Sequence, residues 1–422
     1  IFAVAAMLLL LVTCGRETAF AKSDSAAFSV VKYDTLSYVI KSYIEESSSK
    51  YFQDPTIPRF LIKDRTDSFI FGVGGYVAAL GYYDNNNLAG PYFMVSSIPV
   101  GNKRLNPNYF DLNMSQTRLS FKVIGITKRG VVNAYIETDF AGSNYAMRLR
   151  HAYLEFMGIK IGKGWSSYID NSYVSTIDPE GPMSLATRLL PLVSYTRKIG
   201  KYYKMTVALE FPQDVTFPET MTESGNSESH QVLQSYPDIP VTFMYDRGPC
   251  HFFVGYNQRL MKFSELGKKF APHYTFSGQL SGSYSFGQTE TLSHKIFLQG
   301  IHTYGMADCI QDLSNLGYNA IVSSDLQTID LIHNTAFYAG YSIEINKKNQ
   351  INFVYSYLKQ WNLESLGYDD LYEQGHYAAV NYMREFLDYG TFGVEGLWGM
   401  KQQVGGKRGN NFRINLYIRY DF

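Results

Sequence analysis

Ionisable side chains recur at alternate positions within one stretch of this sequence. Arg118 and Lys122 are followed by Glu137 and Asp139, and then by Arg148, Arg150 and Lys160. Alternate spacing places the members of each set on one face of an extended strand. The pattern therefore predicts a basic ladder of Arg118, Lys122, Arg148, Arg150 and Lys160 beside an acidic pair, Glu137 and Asp139. Two readings fit such a wall. The charges pair across neighbouring strands and merely hydrate the face, or the cations attract anions, because arginine forks match carboxylate and phosphate oxygens. Covalent chemistry finds no comparable foothold. The 8 histidines are scattered, with no two at metal-ligand spacing. No Walker loop, dinucleotide fingerprint or G-x-S-x-G elbow occurs, and no cofactor is expected. An outer-membrane lipase or protease would need a Ser–His pair on adjacent strands, and the predicted neighbours supply none.

The elements that must position these residues read as strands. From Ser68 to Phe422 the dominant period is two. Phe412, Ile414, Leu416, Ile418, Tyr420 and Phe422 alternate with Arg413, Asn415, Tyr417, Arg419 and Asp421, giving one apolar and one mostly polar face. Roughly sixteen such segments of about ten residues can be counted, the length that crosses an outer membrane at a tilt of about 40°. Their centres lie near Val77, Ser120, Tyr135, His151, Gly162, Val193, Thr206, Thr242, Tyr256, Leu280, Leu298, Tyr341, Tyr355, Val380, Gly396 and Tyr417. Tight turns such as Met157-Gly158 and Gly248-Pro249 alternate with longer loops near 84–113, 167–186, 212–237, 306–334 and 361–375. Outer-membrane barrels show this alternation, with turns in the periplasm and loops outside. The expected fold is all-β: a 16-stranded antiparallel transmembrane β-barrel over residues 68–422.

Composition narrows the remaining classes. The 38 basic and 38 acidic residues cancel, which argues against the two partners a strongly charged chain would suggest, nucleic acid and an anionic membrane surface. Beyond the first dozen positions no stretch approaches the roughly 20 apolar residues of a membrane helix, so a polytopic helical protein is excluded. Ile1 to Val12 is apolar throughout, and Ala19-Phe20-Ala21 places small residues where a signal peptidase reads. Residues 1–21 are expected to be a secretory signal peptide. A lipoprotein signal at Cys14 is the alternative, poorly served by Thr13. Residues 22–67 fall outside the strand pattern and are expected to be a periplasmic segment, partly helical or disordered.

A sheet in hydrocarbon must close on itself, because its backbone polar groups have no other partners. Closure at about sixteen strands leaves an aqueous lumen. Parity turns Leu149 and Tyr153 towards lipid and Arg148 and Arg150 towards the lumen. The expectation is a water-filled passage for small hydrophilic solutes, set in outer-membrane lipid, with anion preference as the sharper reading. A soluble secreted β-protein, packed on its apolar face, is the alternative. Ile418, Tyr420 and the terminal Phe422 look like the signal that outer-membrane proteins present to the barrel-assembly machinery. Cys250 in a periplasmic turn and Cys309 in an outer loop would lie about 25 Å apart, too far for a disulfide, whose Cα atoms lie within about 7 Å.

Several runs between 116 and 198 carry a family likeness. They are Thr117-Arg118-Leu119-Ser120-Phe121-Lys122-Val123, Ala134-Tyr135-Ile136-Glu137-Thr138-Asp139-Phe140, Arg148-Leu149-Arg150-His151-Ala152-Tyr153, Gly162-Lys163-Gly164-Trp165-Ser166-Ser167 and Asp178-Pro179-Glu180-Gly181-Pro182. Together they resemble the DcaP-like trimeric outer-membrane porin family. The resemblance implies a barrel that admits small, often negatively charged solutes and assembles as a homotrimer. It also implies that the third long loop, 167–186, folds inward as in general porins. Asp170, Asp178 and Glu180 would then stand near a constriction opposite the basic wall. Porins of the phosphate-selective kind share the general layout.

Overall fold

The structure is a computed structural model. It describes residues 60–422 apart from 64–67, 87, 89, 102–107, 213–214, 217–230, 233–235, 262–263, 266–267, 270–271, 315, 323–328, 364–368 and 388. The expected signal peptide lies outside the described residues, as does most of the segment 22–67.

The main sheet contains 18 strand segments. Two of them are short additions to neighbours, which leaves sixteen staves. These are β1 (Phe69–Asp84), β2 (Arg118–Thr127), β3 (Gly130–Asp139), β4 (Arg148–Phe156), β5 (Ile159–Trp165), β6 (Leu189–Ile199), β7 (Tyr203–Glu210) and β8 (Ile239–Arg247). They continue with β9 (Cys250–Met261), β10 (His273–Phe286), β11 (Leu292–Tyr304), β12 (His333–Ile345), β13 (Asn349–Trp361), β14 (Tyr372–Phe386), β15 (Gly390–Gln403) and β16 (Arg408–Asp421). Every predicted strand centre falls within one of them. Each stave pairs antiparallel with its neighbour in sequence, and β1 pairs with β16 from Tyr76↔Asp421 to Asp84↔Arg413, closing the barrel.

Both additions sit along β1. Tyr109–Asn113 continues β2 above a break and pairs with Leu80–Asp84. Phe60–Lys63 pairs with Ile70–Val73, below the point where β16 ends, so the sheet begins earlier than the period-two pattern does. At the seam the Gly75 N–H donates to the Phe422 carbonyl (3.1 Å) and the Phe422 N–H to the Gly75 carbonyl (3.0 Å). Gly75 has φ +154°, and a Cβ there would run into the Arg118 carbonyl, so glycine is needed where three strands meet.

The outward set is apolar. On β16, Phe412, Ile414, Leu416, Ile418 and Tyr420 are exposed, whereas Arg413 and Asn415 are fully buried. The same inversion holds on β10, with Tyr274, Leu280 and Tyr284 outside and Thr275, Ser277 and Gln279 inside. Apolar surface costs about 25 cal/mol per Å² in water, so a band of this extent is stable only in lipid. The soluble reading fails here, because its apolar face would have to point inward. Among the described residues no helix is long and apolar enough to cross a membrane.

Two features depart from the expected interior. A bulge in β4 shifts the register between Glu137 and Thr138, so Glu137 faces His151 while Thr138 faces Leu149. Arg150 and His151 are consequently both buried inside. Parity flips beyond them: Tyr153 lines the lumen and Leu154 faces lipid, correcting the outward assignment of Tyr153.

The second departure is a partly filled lumen. Three outer loops turn inward: L1 (85–108), L3 (166–188) and L6 (305–332). Phe93, Val95 and Ile98 of L1, Val174 and Met183 of L3, and Met306, Ile310 and Leu313 of L6 pack on Phe297, Tyr338, Leu358, Tyr377 and Leu397 of the wall. The flank beside β11 to β15 is therefore packed with loop side chains, and open clefts lie along the opposite flank. L6 carries Cys309, which is buried, while Cys250 is exposed at the turn after β8; both are free thiols.

Candidate functional site

The wall formed by β2, β3 and β4 brings the charged residues together through register. β2 and β3 pair with Arg118 opposite Asp139 and Ser120 opposite Glu137. The bulge in β4 then swings Arg150 in between the two carboxylates. Arg150 Nε donates to Glu137 Oε1 at 3.0 Å and its Nη1 reaches Asp139 Oδ2 at 3.4 Å. Arg148 binds Asp139 with both arms of its fork, at 3.0 and 2.7 Å. Arg118 lies 3.6 Å from Glu137 and is fully buried. The cross-paired reading of this wall is thus the observed geometry, with three guanidinium groups on two carboxylates. Arg148 alone keeps a large exposed fraction, 45 % of its side chain. Lys122 occupies an inward position opposite Tyr135. Lys160, on β5, stands 4.9 Å from the Tyr153 ring centre.

L3 follows β5 and is held against the wall along its length. Glu210 on β7 accepts from Ser166 Oγ (2.7 Å) and the Ser167 N–H (2.6 Å). Asp170 lies 3.0 Å from His251 Nε2 and accepts from Ser281 Oγ. Tyr338 Oη donates to the Val174 carbonyl at 2.7 Å, and Asn352 and Asn381 donate to that of Ser175. Glu395 on β15 accepts the N–H groups of Ile177 and Asp178, both at 2.8 Å. Ser184 bonds Ser356 of β13. A loop buried in a barrel must find partners for its backbone polar groups, and inward carboxylate, amide and hydroxyl side chains of the wall supply them.

The three acidic residues of L3 are separated by this path. Only Glu180 faces the arginines. Gln311 of L6 donates to it, and burial pushes its carboxyl up to about 7, helped by the Asp178 charge and opposed by Arg148 and Arg150. Asp178 sits in the packed flank, where it accepts from the Phe93 N–H (3.2 Å) and Tyr377 Oη (3.1 Å). Burial raises it to about 6 despite Arg413 and those hydrogen bonds. Asp170 lies at a third cleft, near the turn 248–249. Burial alone would raise it, but the His251 hydrogen bond and charge hold it below the usual carboxylate range.

Two adjoining clefts remain along β4 to β9. The upper, about 500 Å³, is lined by Arg150, Trp165, Tyr173, Glu180 and Gln311 among others. The lower, about 870 Å³, is lined by His151, Tyr153, Lys160, Lys204, Thr196 and Thr206 among others; it has two lysines and no carboxylate. Both share Trp165, Ile169 and Asn171, so the Arg150–Glu180 gap adjoins the basic lower cleft. Trp165, Tyr153 and Lys204 are the lining residues that sequence parity missed. Trp165 stands 5.4 Å from the Arg150 guanidinium, whose inward position depends on the β4 bulge.

Fold and lumen together define an outer-membrane barrel of porin architecture, with an inward-folded third loop. The chain is similar to the outer membrane channel DcaP of Acinetobacter baumannii, with TM-score 0.71 and 18% identity over 86% of this chain and 99% of that one. It is also similar to the anion-selective porin from Comamonas acidovorans (TM-score 0.53, 13% identity, 84% and 100% covered). OmpT of Vibrio cholerae gives TM-score 0.53 at 12% identity, with 86% and 100% covered. At these identities the likeness establishes the fold. No protein-family model and no curated protein matches the sequence.

Proposed function

We propose that this barrel is an outer-membrane porin, a passive channel for small hydrophilic solutes that favours anions. The observation that carries the reading is the pair of adjoining clefts along β4 to β9. The upper cleft is lined by Arg150 and one carboxylate, Glu180, and the lower by Lys160 and Lys204 with no acid, while Asp170 and Asp246 line the third cleft beyond. Fixed charge of one sign along a narrow path raises the local concentration of counter-ions. The paired wall of Arg118, Arg148, Arg150, Glu137 and Asp139 keeps an excess of one cation, and Lys122 adds to it. The reading includes no turnover and no energy coupling. It takes the homotrimer from the likeness of residues 116–198, and it assigns Ile418, Tyr420 and Phe422 to recognition by the assembly machinery.

Planar-bilayer recording across a KCl gradient tests it. Wild type is expected to show stable conductance and a reversal potential of the anion-selective sign. Lys160→Glu combined with Lys204→Glu is expected to abolish or invert that sign. Absence of conductance would overturn the channel; a cation-selective wild type, or an unmoved double variant, would overturn the anion preference. Chemical cross-linking in membranes is expected to give a three-chain species.

A further inference from the structure

The overall charge balance conceals a local excess at the periplasmic end. The turns 128–129 and 200–202 and the strand ends beside them carry Lys128, Arg129, Arg197, Lys201 and Arg247, all exposed. Two acids lie nearby. Glu155 lies across from Lys160 in the β4–β5 pairing, and Asp246 binds His251 at 2.5 Å. The rim beyond β9 mixes signs instead, with Lys347 and Lys348 near Glu344, and Arg384 next to Glu385. The excess is thus confined to one sector of the rim.

On β6 to β8 that sector adjoins the lipid face. Arg197 continues the outward set Val193, Tyr195, and Arg247 continues the outward set Val241, Phe243, Tyr245. Tyr203 lies 5.1 Å from Tyr245 and 5.6 Å from Phe243, forming an aromatic cluster set between the rows of Arg197 and Arg247. Arg247 and Lys201 flank the Tyr202 ring at 5.3 and 5.5 Å. No ion pair among the described residues engages Arg197, Lys201 or Arg247. Aromatic rings mark the level of the headgroups, and long cationic side chains at a strand end reach for the phosphate region.

We infer that the outer surface at the periplasmic ends of β6 to β8 binds an anionic phospholipid of the inner leaflet, with its phosphate among Arg197, Lys201 and Arg247. Its acyl chains lie on Val193, Tyr195 and Val241. An acidic periplasmic protein would be served by the cations but has no use for the apolar face they adjoin; a phospholipid uses both. Three cations held at such a surface give an expected preference of about tenfold or more for an anionic over a zwitterionic lipid.

Native mass spectrometry of the full barrel tests this, after release from micelles holding equal phosphatidylglycerol and phosphatidylcholine. Wild type is expected to retain phosphatidylglycerol adducts about tenfold more often. The combined Arg197→Gln, Lys201→Gln and Arg247→Gln variant is expected to lose that preference, and Arg247→Gln alone to lose part of it. Lys347→Gln with Lys348→Gln is expected to keep it. Heat-modifiable gel migration confirms that each variant is folded, and the single substitution serves if the triple one is not. A wild type without preference, a triple variant that keeps it, or an equal loss in the Lys347/Lys348 control would overturn the site. So would binding of soluble polyglutamate with no lipid preference, which would assign the patch to an acidic polypeptide.

Discussion

Glu395→Gln probes how L3 is kept in the lumen. The Glu395 carboxylate accepts four hydrogen bonds: from the Ile177 and Asp178 N–H groups at 2.8 Å, and from the side-chain amides of Asn381 and Asn415 at 3.0 and 3.1 Å. Glutamine fills the same space but keeps one acceptor oxygen and turns an NH₂ group towards donors. At least two buried donors then lose their partner, at about 1–3 kcal/mol each. The total, about 2–6 kcal/mol, favours the lifted loop by roughly 30-fold to about 20,000-fold, at about 1.4 kcal/mol per tenfold. Tyr338 holds Val174 on one side of the segment and Ser356 holds Ser184 on the other, so the release is confined to the stretch between them. That stretch carries Glu180, which narrows the passage opposite Arg150. Single-channel recording of Glu395→Gln is therefore expected to show larger conductance with added flicker. Conductance and open-channel noise identical to wild type, in a barrel shown to be folded, would refute the claim that Glu395 seats the loop.

Glu180 and Asp178, with carboxyls raised to about 7 and about 6 by burial, hold extra protons in the folded chain. Stability from these groups is therefore greatest in acid and falls as pH rises from about 4 to about 7. The charge that then appears beside Arg150 is expected to make the channel less anion-selective at pH 8 than at pH 5, a difference that Glu180→Gln removes in reversal-potential measurements. Arg148→Glu sets a like charge against Asp139 and is expected to weaken anion preference; an unchanged reversal potential would count against the charged wall. Arg259→Ala removes the guanidinium that binds Asp238 at 2.8 Å and Asp308 at 2.9 Å, and it is expected to lower stability by about 3–5 kcal/mol in urea unfolding. Maleimide is expected to modify Cys250 and spare Cys309, whose thiol burial pushes up to about 12, and intact-mass analysis is expected to find no bridge between them.

The staves are legible in the sequence because lipid outside and polar groups inside impose one period on every strand, and the centre of each can be read without knowing its neighbours. The third loop's inward course follows from the family likeness, and Glu180 does face Arg150. Two things are not readable. The β4 bulge carries no glycine or proline to mark it, and it reverses parity beyond Arg150, which is why strict alternation puts Tyr153 on the wrong side. The filling of the lumen by L1 and L6 depends on contacts between distant segments. A trace of it exists in the sequence: Ile296, Phe297 and Leu298 are consecutive apolar residues where strict alternation would put a polar one, and Phe297 is the inward member within the packed flank. The anchor Arg413–Asp84 joins residues far apart in the chain, and no local pattern announces it.

Hydroxyl groups pave the wall of the lower cleft. Ser194 and Thr196 on β6, Thr206 on β7 and Thr242 on β8 project into it at successive strands, and Thr196 bonds Thr206 at 3.0 Å. A hydroxyl both gives and accepts a hydrogen bond and turns freely about its C–O axis. A solute descending past Lys160 would trade its water molecules for this rotating surface one at a time, so its dehydration is spread over many small steps. Such a lining is indifferent to the solute's shape and leaves discrimination to the charges of Lys160, Lys204 and the gap above.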